Sequence, residues 1–269
     1  MSVCKINGLE LFYLLEGEGP EVIVILNGIM MSSQSWNAHV PQLLEQGYRV
    51  LRVDFRDQGQ SEKARESYAI GQHVQDLEAL FAALGLNKVH LVGISYGGQV
   101  ALLYALAHGE RLASLMVFNT TARLTNYLKG IGAAWDEAAR LRDGERFFRL
   151  AMPFIYSDVF YQSNYQWLKE REQTLGKILG PEWFEGYLRL SGSHGDYDIL
   201  ERLREIRVPT LVVGSDRDMV TPLEEMRLIV QGIPGARFVV IPDSGHASCY
   251  EKPQEFLLQI LGFVALNKS

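Results

Sequence analysis

Ser95 is the residue whose surroundings most clearly indicate chemistry. It lies in segment 93–98 (GISYGG), which matches the pattern Gly-x-Ser-x-Gly. An apolar run ends at Ile94 and a helical pattern begins at Gly97, so the serine falls in a turn between a strand and a helix. In such a turn the glycines allow close packing and the serine hydroxyl projects above the strand end. The pattern favours a nucleophilic serine over its alternative, a glycine-rich turn with a surface serine.

His246 is the candidate base for this serine, because a hydroxyl is a weak nucleophile until a neighbouring group takes its proton. It lies in a loop between the last predicted strand and the last predicted helix. Loops at the carboxyl ends of strands are where α/β sheets present catalytic groups. The other histidines fall in predicted helices, in a buried strand or in the central segment, and we expect structural roles for them. They are His39, His73, His90, His108 and His194.

An acid must hold the imidazole in the correct tautomer and stabilise its charged form. Segment 214–222 (GSDRDMVTP) follows the penultimate predicted strand and offers two candidates. Asp218, shortly before the helix-opening Pro222, is preferred. Asp216 lies closer to the strand end, where it can cap the turn or pair with Arg217. The chain order of nucleophile, acid and base is then the order found in α/β-hydrolases.

The elements that position these residues alternate between short apolar, β-rich runs and helical patterns. This alternation predicts an α/β fold with a mostly parallel, helix-flanked sheet. The predicted strands are Glu21–Leu26, Tyr48–Asp54, Lys88–Ile94, Leu112–Asn119, Pro209–Gly214 and Ala236–Ile241. The predicted helices are Ser35–Gln46, Ile70–Leu84, Gly97–His108, Pro222–Gln231 and Pro253–Leu266.

The central part of the chain differs from the rest. Segment 120–207 contains no clear buried strand and instead shows helical stretches that are dense in aromatic side chains. We predict that it forms a helical cap inserted between two strands, while 1–119 and 208–269 form the α/β core. Most of the aromatic residues are expected to pack the helices themselves, and some to give the substrate pocket an apolar wall.

Several motifs together resemble the α/β-hydrolase superfamily over nearly the whole chain. Gly28 follows a strand, as in the family's His-Gly motif, and segment 54–61 (DFRDQGQS) is similar to its D-x-R-G-x-G-x-S loop. Segment 245–256 (GHASCYEKPQEF) is similar to its carboxyl-terminal G-H-x-x-x-x-E-x-P-x-x-F motif. The resemblance implies a catalytic triad of Ser95, Asp218 and His246, but it says little about the substrate.

The resemblance also implies an oxyanion hole made of two backbone N–H groups. One belongs to Tyr96, directly after the nucleophile, and the other to Ile29, in the loop after the first buried strand. Gly28 and Met30 flank Ile29 and are expected to contact substrate, and Met31 to line the mouth of the pocket.

Two residues depart from the family pattern. Asn27 stands where the family usually has histidine, and Asp57 stands where the second loop usually has glycine. Asn-Gly at this position, together with Ser-aromatic-Gly-Gly around Ser95, is similar to bacterial hydroxyacyl-carrier-protein transacylases and to the related synthase of rhamnolipid precursors. Asp57 is expected to affect only the local turn geometry.

Three functions remain open. The first is a serine hydrolase of carboxylic esters or thioesters, acting through an acyl-enzyme on Ser95. The second is an acyltransferase that moves an acyl or hydroxyacyl group to a carrier or an alcohol. The third is a ligand receptor with slow or no turnover. Haloalkane dehalogenases and epoxide hydrolases of this fold use a carboxylate at the nucleophile position, so the serine argues against those chemistries.

The amino-acid composition limits the kinds of molecule that the protein is expected to bind. Among 269 residues, 26 Lys+Arg and 32 Asp+Glu give a net charge of −6, which disfavours nucleic acid as a partner. Cys4 and Cys249 are too few for a disulfide framework or a zinc site, and there is no phosphate-binding or dinucleotide motif, so we expect no metal and no cofactor. The expected partner is a small, apolar acyl substrate, and the oligomeric state is left open.

No targeting segment is visible at the start of the chain, and the longest apolar runs are too short for a membrane span. We therefore expect a cytoplasmic protein.

Overall fold

The computed structural model describes residues 2–268, and its centre is an eight-stranded sheet in the order β1-β2-β4-β3-β5-β6-β7-β8. β2 is antiparallel to β1 and β4, and the remaining neighbours are parallel. The predicted α/β fold with a mostly parallel sheet is confirmed. The strands are β1 (Ser2–Ile6), β2 (Leu9–Glu16), β3 (Val22–Leu26), β4 (Arg49–Val53), β5 (Val89–Ile94), β6 (Leu112–Phe118), β7 (Thr210–Ser215) and β8 (Arg237–Ile241).

Helices cover both faces of this sheet. Helices α2, α3 and α9 contribute to the apolar cluster on one face, and α1 and α11 to the cluster on the other. The helices are α1 (Val40–Glu45), α2 (Gly71–Ala83), α3 (Tyr96–His108), α4 (Asn126–Arg140), α5 (Gly144–Ile155), α6 (Asp158–Ser163), α7 (Tyr165–Ile178), α8 (Pro181–Gly192), α9 (Leu223–Gly232), α10 (Ser248–Glu251) and α11 (Pro253–Leu266). No helix within residues 2–268 is long and apolar enough to cross a membrane.

Strand β3 shows why the central strands are mostly apolar. All its residues are buried, and its side chains alternate between the two apolar clusters. Val22, Val24 and Leu26 join one cluster, and Ile23 and Ile25 join the other. A strand that is covered on both faces leaves no position for a polar side chain, which explains the unbroken VIVIL run.

The helices α4–α8, here called the inserted helices, lie between β6 and β7 in the chain. They form a third apolar cluster that also contains Val220 and Ala247, from the loops that follow β7 and β8. Tyr197 and Leu203, which follow the inserted helices, instead pack into a cluster of the sheet. The division of the chain into a core and a cap at 119/120 and 207/208 stays a prediction.

Two local features differ from the sequence expectations. Residues 2–16 form an antiparallel hairpin that was not predicted, with Asn7 and Gly8 at φ 47° and 78° in its turn. An Asn-Gly pair with two positive φ angles is the favoured composition of a tight hairpin turn. The single helix predicted for 35–46 is instead a 3-10 turn, Ser33–Trp36, followed by α1, because Pro41 is tolerated only in the first turn of a helix.

Asp57 joins the loop after β4 to the inserted helices. Its side chain is fully buried, its backbone has φ 71°, and its carboxylate accepts hydrogen bonds from Arg189 of α8, the shortest being 2.7 Å. Ala64 N–H donates to the same carboxylate at 3.0 Å. The departure from glycine at this position therefore does more than alter a turn, since it supplies a charged contact between the loop and α8.

We expect Arg189→Met to lower the free energy of unfolding by about 2–3 kcal/mol, because it leaves a buried carboxylate without its guanidinium. Asp57→Gly in the Arg189→Met background should recover much of this loss by removing the orphaned charge. Arg142→Met is the matched control, since the Arg142–Glu185 pair is exposed and should contribute less than about 0.5 kcal/mol. Urea unfolding measures all three. Equal losses in Arg189→Met and Arg142→Met would contradict the assignment.

Candidate active site

Ser95 occupies a strained turn between β5 and α3. Its φ and ψ are 54° and −120°, a conformation that costs a non-glycine residue about 1–3 kcal/mol. The surrounding glycines make room for this turn, because a Cβ on Gly97 would come within 2.5 Å of Leu26 O. Thr120 Oγ1 donates a hydrogen bond of 2.7 Å to Ser95 O and supports the turn from β6. The local sequence therefore holds the hydroxyl at the carboxyl end of the sheet.

The structure brings Ser95, His246 and Asp218 together. Ser95 Oγ lies 2.8 Å from His246 Nε2, and His246 Nδ1 lies 2.9 Å from Asp218 Oδ2. A carboxylate can only accept, so Nδ1 carries the proton and Nε2 is left to accept from the serine hydroxyl. This arrangement can deprotonate the serine as it attacks a carbonyl carbon.

Asp218 is held as a carboxylate by several donors. Val220 N–H and Thr221 N–H donate to Oδ1 at 2.8 and 2.9 Å, and Thr221 Oγ1 and Asn119 Nδ2 donate to Oδ2 at 2.8 and 2.9 Å. Burial alone would raise the pKa of Asp218, but the facing His246 and these hydrogen bonds outweigh it and lower the pKa. The acid therefore stays ionised beside the imidazole.

Asn119 is a site residue that sequence reasoning missed. It follows β6 with φ 44°, donates to Asp218 and to Ser215 Oγ, and accepts a hydrogen bond of 2.6 Å from Ser248 Oγ. Two features of the sequence could have indicated it. Asn119 stands directly after a buried strand next to β5, and asparagine tolerates the left-handed conformation of a turn better than most residues. Its contacts join the loops that carry the acid and the base.

The alternative acid, Asp216, does not reach the imidazole. Its side chain is exposed, and its carboxylate accepts only a long hydrogen bond of 3.4 Å from Ser244 N–H. The neighbouring Arg217 pairs with Asp243 and Asp158 instead.

Four of the other histidines make hydrogen bonds away from Ser95. His39 bonds Cys249 O, His90 bonds Ser114 and Glu21, His73 bonds Tyr96 and His194 bonds Gln99. His108 contacts the ring of Tyr104. These contacts agree with the structural roles expected for them.

The loop after β3 passes close to Ser95. A Cβ built on Gly28 would lie 3.7 Å from Ser95 Cβ, so this part of the loop is in van der Waals range of the serine side chain. Tyr96 is the first residue of α3, and its N–H has no partner within the helix. These placements fit an oxyanion hole, but the roles of Ile29 and Tyr96 as its donors stay predictions.

Asn27 and Gln58 stabilise this loop through buried hydrogen bonds. Asn27 is fully buried, donates to Val53 O at 2.8 Å and to Gln58 Oε1 at 3.1 Å, and accepts from Trp36 Nε1 at 2.8 Å. Gln58 Nε2 donates to Gly28 O at 2.9 Å. Asn27 is thus a loop-stabilising residue in this chain.

Two cavities meet at Ser95. The first, the apolar chamber, has a volume of about 130 Å³ and is lined by Gly28, Met30 and aromatic residues of the inserted helices. The second, the polar chamber, has a volume of about 440 Å³ and is lined by polar groups that include Gln99, Asp136 and His194. Ile29, Ser95 and Trp135 border both chambers. The walls of both chambers are mostly apolar, but the wall of the polar chamber holds more polar groups, so a reactive group at Ser95 faces two spaces of different polarity.

Cys249 borders the apolar chamber but is not poised to react. It is buried, and desolvation raises the pKa of its thiol to about 12. The thiol stays protonated near neutral pH, and a protonated thiol is a poor nucleophile.

A buried polar network lies behind Tyr96. The Tyr96 hydroxyl is 2.8 Å from His73 Nε2 and 2.6 Å from Ser193 Oγ, so it connects α2 to the end of α8. Burial, together with the nearby charge of Arg56, lowers the pKa of His73 to about 3. His73 is therefore neutral in the folded protein.

Because the pKa of His73 is lower in the folded than in the unfolded chain, its contribution to stability is lost as the pH falls below about 6.5. We expect His73→Gln to reduce this loss. The difference in unfolding free energy between wild type and variant should change by up to about 1.4 kcal/mol per pH unit between about pH 6 and pH 4. Urea unfolding across this range measures it. A difference that stays constant with pH would contradict a neutral, buried His73.

The fold agrees with comparisons to known proteins. Residues 21–253 match the family model for the alpha/beta hydrolase fold, and the chain belongs to that family. The solved structure of MGS-M2, an alpha/beta hydrolase enzyme from a Medee basin deep-sea metagenome library, superposes with a TM-score of 0.94. It is 35% identical in sequence, and the match covers 98% of this chain and 97% of that one.

Curated relatives have hydrolase names. The 3-oxoadipate enol-lactonase 1 of Acinetobacter baylyi is 28% identical over 91% of this chain and 90% of its own length. The putative carbamate hydrolase RutD of Azorhizobium caulinodans is 26% identical over 94% of each chain. Together with the family match, these relatives support a hydrolase of the α/β fold type.

Proposed function

We propose that the protein is a serine hydrolase of carboxylic esters or thioesters that works through an acyl-enzyme on Ser95. The observation that carries this proposal is the hydrogen-bonded series from Ser95 through His246 to Asp218, which opens into two cavities. A buried, ionised carboxylate behind an imidazole and a serine on a strained turn make up the arrangement that activates a hydroxyl for acyl transfer.

In the proposed first half-reaction, Ser95 Oγ attacks the substrate carbonyl carbon while His246 Nε2 takes the hydroxyl proton. Asp218 stabilises the imidazolium that forms. The bond from the carbonyl carbon to the alcohol oxygen or thiol sulfur then breaks, and His246 returns its proton to the leaving group. In the second half-reaction His246 takes a proton from water, and the hydroxide so formed attacks the acyl-serine. The bond from the acyl carbon to Ser95 Oγ then breaks, His246 returns the proton to Oγ, and the acid is released.

The oxyanion that forms in each half-reaction is proposed to accept hydrogen bonds from Ile29 N–H and Tyr96 N–H. Removing one such donor typically costs about 10²–10³ in kcat, which places these contacts among the largest single contributions to the rate. The network of Asn27 and Gln58 supports the proposal because it holds the loop that carries Ile29.

The residues that line the chambers indicate the class of substrate. The first has mostly apolar and aromatic walls, which fit a hydrophobic acyl or alcohol group, with Gly28 and Met30 in contact with it. One relative is named as a lactonase, and a lactone is an internal ester. Both observations support a small-molecule ester as the substrate.

Acyl transfer is a second candidate function, favoured by the polar chamber beside Ser95. This chamber, about 440 Å³, can hold an acceptor that is larger than water while the acyl group occupies the apolar chamber. An alcohol or thiol in this position would receive the acyl group in the second half-reaction in place of water.

We expect Ser95→Ala to lower kcat/KM for p-nitrophenyl butyrate by at least about 10⁴-fold and to abolish labelling by a fluorophosphonate probe. Asp218→Asn should cost about 10⁴-fold in kcat, because the imidazole loses its correct tautomer. Asp216→Asn is the matched control and should keep most of the activity.

Equal labelling of wild type and Ser95→Ala would contradict the nucleophile assignment. Equal losses in Asp218→Asn and Asp216→Asn would contradict the choice of acid. Labelling of Ser95 without turnover of any ester would favour the ligand receptor.

Hydrolysis and acyl transfer predict different responses to an added acceptor. If water is the natural acceptor, small alcohols or thiols should change the rate of p-nitrophenol release by less than about 2-fold, and the carboxylic acid should remain the main product. Product analysis by chromatography checks this. A strong acceleration with the acyl acceptor adduct as the main product would make the protein an acyltransferase.

A further inference from the structure

Arg171 of α7 borders the apolar chamber and forms no ion pair with an acidic residue among residues 2–268. Within residues 2–268, every other arginine between positions 126 and 192 forms an ion pair with a carboxylate, and Arg171 forms none. The paired arginines are Arg140, Arg142, Arg146, Arg149 and Arg189. Arg171 is thus set apart both by its position and by its missing counter-charge.

The acidic residue next to Arg171 in the chain already has two basic partners. The neighbouring Glu172 already pairs with Arg149 at 2.8 Å and with Lys169 at 2.7 Å. Among the described residues, no Asp or Glu lines the apolar chamber. A cation beside an apolar cavity is costly unless it is paired or held by other contacts.

Aromatic rings hold the guanidinium in place. Its central carbon lies 5.0 Å from the ring centre of Trp167 and 5.5 Å from that of Tyr250. Its Nε is buried and has no hydrogen-bond partner among residues 2–268. The guanidinium also donates a hydrogen bond to the Tyr250 hydroxyl. Stacking against rings orients a guanidinium without using up its N–H donors, so the remaining donors, which include Nε, stay available to a ligand.

Other donors line the same chamber. Trp135 Nε1 is buried without a hydrogen-bond partner among the described residues, and the Tyr156 side chain also borders the cavity. The chamber therefore combines one fixed positive charge with further N–H and O–H donors and lacks an acidic side chain. This combination is suited to a ligand that is mostly apolar and carries one negative charge.

We propose that Arg171 binds a carboxylate on the part of the substrate that occupies the apolar chamber. The preferred substrates are then esters or lactones with an apolar body and a carboxylate at its end. A carboxylate is chosen over a phosphate because a single guanidinium matches one negative charge and bonds both carboxylate oxygens at once. This inference rests on the proposed function, in which Ser95 attacks the ester.

Matched ester pairs test the proposal. Mono-p-nitrophenyl adipate and p-nitrophenyl hexanoate differ only by a terminal carboxylate in the acyl part. The esters 4-(butanoyloxy)butanoate and butyl butanoate carry the same kind of difference in the alcohol part. We expect the wild type to favour the charged member of at least one pair by about 10-fold or more in kcat/KM, mainly through KM.

Arg171→Met should remove this preference while it changes kcat/KM for the neutral ester by less than about 3-fold. Arg171→Lys should keep part of the preference, since it retains the charge but loses the planar fork. Arg142→Met is the control, because its guanidinium is exposed and paired with Glu185, and it should keep the full preference.

The inference is overturned if the wild type favours the charged ester in neither pair. It is also overturned if Arg171→Met slows charged and neutral esters by the same factor, which would indicate a structural role through Trp167 and Tyr250. Activity on neutral esters distinguishes a failure of the Arg171 inference from a failure of the proposed function. If the wild type hydrolyses them and Ser95→Ala does not, the proposed function stands even when Arg171 shows no selectivity. If neither protein hydrolyses them, the proposed function fails first.

Discussion

The hydrogen bond of 2.8 Å between Ser95 Oγ and His246 Nε2 is the contact on which the proposed function depends, and it joins residues 151 positions apart. It forms only if β5 and β8 end at the same edge of the sheet and if Ser95 adopts a left-handed backbone conformation. The parallel register of the central strands meets the first condition, and the closely packed glycines around the turn meet the second. The packed strands thus hold the strained backbone of the Ser95 turn, which would relax to a lower-energy conformation in an isolated loop.

The base is also tied to the inserted helices. His246 N–H donates to Ile155 O, at the end of α5, at 2.8 Å, and the half-buried carboxylate of Glu251 accepts from Ser157 N–H at 3.0 Å. The helices that line the apolar chamber therefore share hydrogen bonds with the loop that carries the imidazole. Asp57 and Arg189 add a contact on the other side, so pocket shape and triad geometry depend on the same packing.

The sequence predicts the parallel strands well because each is an apolar run with turn residues at its ends. It also predicts Ser95, Asp218 and His246 as site residues, because each follows such a strand. The structure joins the three by hydrogen bonds, and their catalytic roles stay a proposal. Asn119 could not be assigned in this way, since its role comes from contacts with Asp218 and Ser248 that only the tertiary structure creates.

The same reason explains why Arg171 was not predicted. A charged residue on an amphipathic helix is usually solvated or paired. Only the folded structure shows that this one borders a cavity and has no acidic partner in the part of the chain that the structure describes. The amino-terminal hairpin also escaped prediction, because its short strands lack the continuous apolar pattern of the central ones.

The most direct measurement of the central claim is mass spectrometry of the protein after it has been mixed with a p-nitrophenyl ester and quenched in acid within milliseconds. The account predicts a mass gain equal to the acyl group on the peptide that contains Ser95, formed as fast as p-nitrophenol is released and lost at the rate of turnover. Turnover with no acyl group on Ser95 at any quench time, or with the acyl group on another residue, would contradict it.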